Sequence, residues 1–454
     1  MSSPKLLAKW DLDHYWHAFT QMAEYESLII DSAQGVWLYD VHGNRYLDGI
    51  SSMWCTLHGH RHPVIDEAIR NQISKVSHAT SLGVATPPAI ELARRLAELA
   101  PGDLNHIFFG SDGSSAVEAA LKIAFQYWQQ CEQPRPTKTR YVALDGAYHG
   151  DTLGSASVGG IGKYTAIFEP LLFEVHRLHA PDSRLLPEGS GAEYFLQQLE
   201  SLLEQHHQEI AALVIEPRIQ AAAGMVFQPL GYLRGVRELT RKYNVLMIAD
   251  EIVTGCGRTG NMFACESEGV VPDLLCLGKN LTGGYLPLSA AIASSEIYKA
   301  FLGDQNSGRA FLHGHTFGGN PLSAAAALAS LDVLASTEVQ SRLRAQCDQL
   351  EEILNELSAM QNVAEVRQLG MVGAVDLAPA DSHGQCFPPE LRFGHQVCRE
   401  ALKREVWMRP LGNTLVIMPP LCITKDELEF LGRVVLESIE AATQSIGPAA
   451  LQPK

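Results

Sequence analysis

The sequence predicts an α/β protein: a large domain on a mostly parallel, helix-covered sheet, plus a smaller α+β domain drawn from both chain ends. Three observations lead there. First, short apolar runs recur through the middle of the chain. They are HIFFG (106–110), RYVALDG (140–146), AALVIEP (211–217), NVLMIADE (244–251) and DLLCLGK (273–279). Continuous apolar runs bounded by polar or turn residues suit strands buried on both faces. Second, helical patterns alternate with them: PPAIELARRLAELA (87–100), SSAVEAALKIAFQYW (114–128) and YLRGVRELTRKY (232–243). The first opens on prolines, which suit a helix start, and the second on a serine that can cap it. This βαβ rhythm points to parallel strands with crossover helices. Third, the ends read differently. GVWLYDVHGNRYLDG (35–49) alternates, with a hairpin turn expected at HGN, and the chain beyond Asn362 mixes short strands with helices. The expected division is therefore 64–330 for the large domain, with 1–63 and 331–454 together forming the small one. The tail GPAALQPK is expected to be loose.

Composition narrows the function. The chain has 454 residues, 46% hydrophobic and 19% charged, with a net charge of −16. So acidic a surface repels phosphate backbones and anionic lipid, which argues against nucleic-acid and membrane partners. No apolar run is long enough to span a bilayer. MSSPKLLAKWDLDHYW has neither the apolar core nor the cleavage site of a secretory signal. Nine cysteines lie scattered with no C-x-x-C pair, as expected of reduced thiols in a cytoplasmic protein.

In an open α/β sheet, ligands collect at the carboxyl ends of the strands. Glu216, Asp250 and Lys279 each end one of the apolar runs. A lysine in a poorly solvated setting loses preference for its charged form and becomes a nucleophile or base. GSDGSSAVE (110–118) links a strand to a helix N-terminus, where backbone N–H groups and the hydroxyls of Ser114 and Ser115 can hold a phosphate. Each feature alone has a plain reading: a connection, a cap, an ion-pair partner. Together they match what pyridoxal 5′-phosphate needs. Lys279 would bond to its aldehyde, Asp250 would keep its ring nitrogen protonated, and Tyr148 would stack on its face. Tyr148 is otherwise a turn tyrosine. Arg409, between two apolar strands, suits a bidentate contact to a carboxylate, or else pairs with an internal acid.

Two other motifs point elsewhere and are weaker. GCGRTG (255–260) fits a nicotinamide-binding fingerprint, but Asp250 and Glu251 would set carboxylates beside a pyrophosphate, and no helical pattern opens on its last glycine. His58, His60 and His62 could face one way on a strand, yet no cysteine or carboxylate completes a metal set, and HGHRHP also reads as a loop.

DEIVTGCGRTG, CLGKNLTGGYLPL and HGHTFGGNPL, in that order, resemble the class III (subgroup II) aminotransferases of pyridoxal-phosphate fold type I. The likeness runs from about Trp16 to Pro420. Within the family, GISSMWCTLHGHRHP, GAYHGDTLGSASVG and VWMRPLG resemble the biotin-pathway branch. Its members aminate 8-amino-7-oxononanoate to 7,8-diaminononanoate, usually from S-adenosylmethionine. The resemblance implies Lys279 as the cofactor-bonded lysine and Asp250 as the ring-nitrogen partner. It implies Gly113 and Ser114 as phosphate ligands, Tyr148 as the stacking ring with Asp151 beside it, and Arg409 as the arginine for the substrate carboxylate. His315 and Thr316 match a segment that reaches the phosphate of the other subunit, implying a homodimer. Ornithine- and GABA-type members carry a gating glutamate where Ala222 stands, and tend to glutamine where Val253 stands. Three positions depart from the best-known pattern on the expected substrate side: Phe19, Met53 before Trp54, and Val416. Phe19 and Met53 resemble a branch in which lysine can be the donor. Competing readings are an ω-amino acid:pyruvate aminotransferase, a nicotinamide dehydrogenase, and a non-catalytic scaffold.

Overall fold

A computed structural model describes residues 2–380 and 386–445; the tail GPAALQPK lies outside the described residues. At its centre is a seven-stranded sheet. Its order is Leu104–Gly110, Ser289–Ser294, Leu274–Leu277, Leu246–Asp250, Ile210–Ile215, Arg140–Leu144 and His176–Leu178. Only Ser289–Ser294 runs against its neighbours; the rest are parallel in sense. All the apolar runs singled out in the sequence are strands here. Ser289–Ser294 has the sequence SAAIAS, whose small residues carry little strand signal of their own.

Helices cover both faces. Gly113–Gln130 buries an alanine-rich stripe, Ala116, Ala119, Ala120 and Ala124, against one face of the sheet. Glu193–His206 and Tyr232–Lys242 bury Leu199, Leu203, Leu233 and Val236 against the other. The cap of the first helix corrects the sequence reading. It is Asp112, whose Oδ1 accepts from both the amide and the hydroxyl of Ser115 at 2.9 Å. A carboxylate takes both bonds at once and is favoured by the positive end of the helix, so it wins over serine.

The two chain ends meet in a second sheet. Ile30–Gln34, Trp37–Asp40 and Arg45–Asp48 form an antiparallel meander, with the expected turn at HGN. Val406–Trp407, from far along the chain, adds parallel to its last strand. A third, antiparallel sheet runs Val363–Leu369, Val372–Leu377, Thr414–Ile417, Pro410–Leu411. All nine cysteines are free. Among the described residues, no single helix is long and apolar enough to cross a membrane.

Candidate active site

Strand register sets the site. Ala249 pairs with Ile215 and Asp250 with Cys276, so Glu216, Asp250 and Lys279 leave the carboxyl ends of three neighbouring parallel strands. Lys279 is partly open to solvent and sits at φ 34°, a left-handed conformation that costs a non-glycine residue free energy. Burial lowers its pKa, and the charges of Asp250 and Glu216 only partly oppose this. Among the described residues its Nζ has no hydrogen-bond partner, and it lies 5.8 Å from the centre of the Trp54 ring.

Asp250 is buried. Its Oδ1 accepts from the Ile252 amide at 3.1 Å and its Oδ2 lies 2.8 Å from His149 Nδ1. His149 Nε2 is buried without a partner among the described residues. Sequence reading passed over His149, although it stands beside Tyr148; nothing local marks a histidine in a turn as the neighbour of a distant aspartate. Buried Glu216 accepts the Tyr148 amide at 2.9 Å and the Ala221 amide at 3.0 Å. Burial pushes its carboxyl up to about 7. Tyr148 donates to Asp151 at 2.6 Å, and burial with this contact raises the phenol. The Tyr148 ring meets Tyr164 edge-on at 6.1 Å, and Tyr164 meets Phe19 at 5.3 Å. Tyr164 therefore joins the site, although no sequence motif marked it.

The turn before the long helix closes the other side. A Cβ on Gly113 would come within 2.9 Å of Ile252 Cδ1, so a larger residue here would push on the residue whose amide bonds Asp250. Gly150, at φ +121°, lies against Ser114: a Cβ there would meet Ser114 Oγ at 2.0 Å. The Asp151 amide donates to the same hydroxyl at 3.2 Å.

Trp54 is aimed by a strained segment. Ser51, Ser52 and Trp54 all have positive φ. Asp48 holds the Ser52 amide at 2.8 Å and its hydroxyl at 3.0 Å. Arg258, fully buried, donates to Ser51 Oγ at 3.2 Å and to the Pro419 carbonyl at 2.7 Å. Such crossed bonds over-determine a backbone that would otherwise relax. They also explain GCGRTG. That stretch forms turns that deliver Arg258 to this segment, and no α-helix opens on its last glycine.

The remaining candidates separate. Met53 is 44% and Phe19 58% exposed, on the open side of Trp54 and Tyr164. Arg409 is partly buried and, among the described residues, has no ion-pair or hydrogen-bond partner. Burial lowers the pKa of His395, and the charges of Arg392, Arg409, Arg399 and Lys163 lower it further. Val416 is fully exposed to neither solvent nor the site: at 0% exposure it packs in the core of the third sheet, opposite Ala374. His315 is partly buried with Nε2 unpartnered among the described residues, and Thr316 is exposed. Among the described residues, neither hydrogen-bonds Ser114 of the same chain, whose hydroxyl takes the Asp151 amide. The histidines of HGHRH do not share one site: His58 contacts Ser330 at 3.1 Å with the His62 ring 6.1 Å away, while His60 turns to Asp48 at 3.0 Å.

The family model described as aminotransferase class-III matches residues 20–440. The chain belongs to the class III aminotransferases. This aminotransferase is 48% identical over 442 residues to the adenosylmethionine-8-amino-7-oxononanoate aminotransferase of Nitratidesulfovibrio vulgaris, across 96% of this chain and 81% of that one. The solved structure of the Methanocaldococcus jannaschii protein of that name is 37% identical with a TM-score of 0.91, covering 96% of this chain and 99% of that one. An amine transaminase from an uncultivated Pseudomonas species, solved with pyridoxal phosphate bound, is 33% identical with a TM-score of 0.88, covering 96% and 99%.

Class III aminotransferases depend on pyridoxal 5′-phosphate, and the residues present fit it. The Asp112 cap occupies the Ser115 amide, while the earlier amides of Gly113 and Ser114 have no carbonyl one turn back to bond. Ser289 Oγ, against Gly110, is buried without a partner among the described residues. A free lysine amine, a buried carboxylate and an anion-ready helix start thus converge on one place.

Proposed function

We propose that this aminotransferase converts 8-amino-7-oxononanoate to 7,8-diaminononanoate, with S-adenosylmethionine as amino donor. One observation carries the substrate assignment: relatives bearing that name match across 96% of this chain, at 37% to 48% identity. Ala222 and Val253, both partly exposed, support it in place of the gated ornithine type.

When bound, pyridoxal phosphate supplies an electron sink and carries the amine between substrates. The chain supplies the rest. Nζ of Lys279, with its lowered pKa, takes the proton from the carbon that bears the donor amine. Such a placed base contributes roughly 10²–10⁴-fold. Asp250, held by His149 and the Ile252 amide, keeps a proton on the ring nitrogen. Gly113 and Ser114 hold the phosphate, Tyr148 covers the ring face, and Trp54 keeps the lysine poorly hydrated. Arg409 holds the acceptor's carboxylate, while Phe19 and Met53 line the donor side. One amine leaves before the next substrate enters, so the kinetics are ping-pong.

We place the cofactor domain at 64–330 and the small domain at 1–63 with 331–454. The mixed-end sheet through Val406–Trp407 supports that division. We further propose a cytoplasmic homodimer in which His315 and Thr316 serve the partner's phosphate.

The test is a half-reaction on purified protein, following loss of the lysine-bound cofactor's absorbance. Loss with S-adenosylmethionine, followed by recovery on adding 8-amino-7-oxononanoate, is expected. Loss with lysine alone would make Phe19 and Met53 marks of a changed donor. Recovery with pyruvate and not with 8-amino-7-oxononanoate would overturn the acceptor.

A further inference from the structure

Away from the active site, on the outer edge of the seven-stranded sheet, three metal-ligating side chains meet. His206 ends the helix Glu193–His206, Glu209 follows three residues later, and His176 opens the edge strand His176–Leu178. One carboxylate oxygen, Glu209 Oε1, lies 2.8 Å from His206 Nδ1 and 3.2 Å from His176 Nε2. The two rings are 4.8 Å apart and tilted 37°. The possible ligand atoms all lie within 4.8 Å of one another. We propose that His176, His206 and Glu209 form a binding site for a divalent transition-metal ion of the zinc type.

The chemistry selects the ion. Two imidazole nitrogens and one carboxylate oxygen are the donor set that zinc, copper and nickel prefer, whereas magnesium and calcium want oxygen throughout. Tetrahedral zinc with bonds near 2.0 Å sets its ligands about 3.3 Å apart. The two Glu209 contacts need to open by only a few tenths of an ångström, and the two imidazole nitrogens, within 4.8 Å of each other, to settle toward the same spacing, for an ion to replace the protons between them. The side chains are 23%, 40% and 43% exposed, which leaves an entry path and room for water in the fourth position.

The backbone supporting the set is fixed. The Glu209 carbonyl accepts the amides of Thr139 at 2.8 Å and Arg140 at 2.9 Å, and its own amide donates to the His206 carbonyl at 2.9 Å. Two of the ligands therefore ride on a pinned helix end. The third rides on a three-residue edge strand that, among the described residues, pairs only with Arg140–Leu144. A bound ion would staple that edge strand to the helix. It touches neither Lys279 nor Asp250.

The test uses chelator-treated holoenzyme. Isothermal titration with Zn²⁺ should show one equivalent bound per chain and a raised thermal midpoint, and Mg²⁺ should show neither. His176→Gln and His206→Gln should each weaken Zn²⁺ binding at least tenfold. His207→Gln removes a neighbouring histidine that is engaged with Leu203 and Gln208, and should leave binding intact. Unchanged transaminase activity in all three variants would confirm that they are folded. The proposal is overturned if the wild type takes up no Zn²⁺, or if it binds equally well in His176→Gln and His206→Gln.

Discussion

Lys279 combines a left-handed backbone with an amine that water cannot fully reach. Both are unfavourable for stability, and both serve a lysine that must lose its proton near neutral pH. Lys279→Ala should abolish transamination and the absorbance of lysine-bound cofactor while leaving the fold intact; wild-type turnover in that variant would remove the lysine from its role. Glu216 makes a pH prediction. Its carboxyl is raised from 4.5 to about 7 by burial, so the folded chain holds this proton more tightly than the unfolded one. The stabilising contribution is complete below pH 4.5 and disappears as pH climbs through 7. At roughly 1.4 kcal/mol per unit, the cofactor-free protein should lose about 3 kcal/mol across that window. Urea unfolding at pH 5 to 8 would measure the slope, which Glu216→Gln should flatten. Lys279, Asp250 and Glu216 were legible in the sequence because each is a polar residue ending an apolar run. His149 and Tyr164 were not, because what matters about them is a contact across more than one connection.

Elements carry their own information, and the helix Gly113–Gln130 shows how far it goes. Its existence follows from apolar spacing, but its first turn is decided by competition among several polar residues in SDGSS, which spacing cannot rank. Asp112 wins through two hydrogen bonds. Asp112→Ala should cost about 1 kcal/mol in urea unfolding, and Asp112→Asn should recover most of it. A loss no greater than that of a surface substitution would mean that the cap is dispensable. The strand Ser289–Ser294 illustrates the opposite limit: its identity comes from pairing on both sides, which no local propensity reports. Val416 has the same lesson. A motif comparison set it near substrate, while the pleat of its strand turns it into the core.

At the scale of the molecule, a buried ionic network ties the third sheet to the rest. Asp376 accepts from Arg367 at 2.6 and 3.0 Å, from Arg184 at 2.6 Å and from Thr414 at 2.7 Å. Burial pushes its pKa up most, but Arg367, Thr414 and Arg184 together outweigh it and keep the carboxyl below its ordinary range. Arg367 also donates to the carbonyls of Gly224 and Met225, in the stretch that carries Ala222. Asp376→Ala leaves the buried Arg367 guanidinium without its paired carboxylate, while Arg184 keeps Asp182, and should cost about 3–5 kcal/mol by chemical unfolding. Adding Arg367→Met should return part of that loss, and a further loss on adding it would contradict the pairing.

The sheet shared by the two chain ends also has a history. Arg45 and the residue it bonds, Glu405, are separated by 360 positions. A ribosome adding about 5–20 residues per second takes roughly 20–70 s to cover that distance. Through that interval the meander Ile30–Asp48 has one edge waiting for Val406–Trp407, while the central sheet between them can already form. Nascent chains stalled before Val406 should therefore hold a protease-resistant middle and a cleavable beginning.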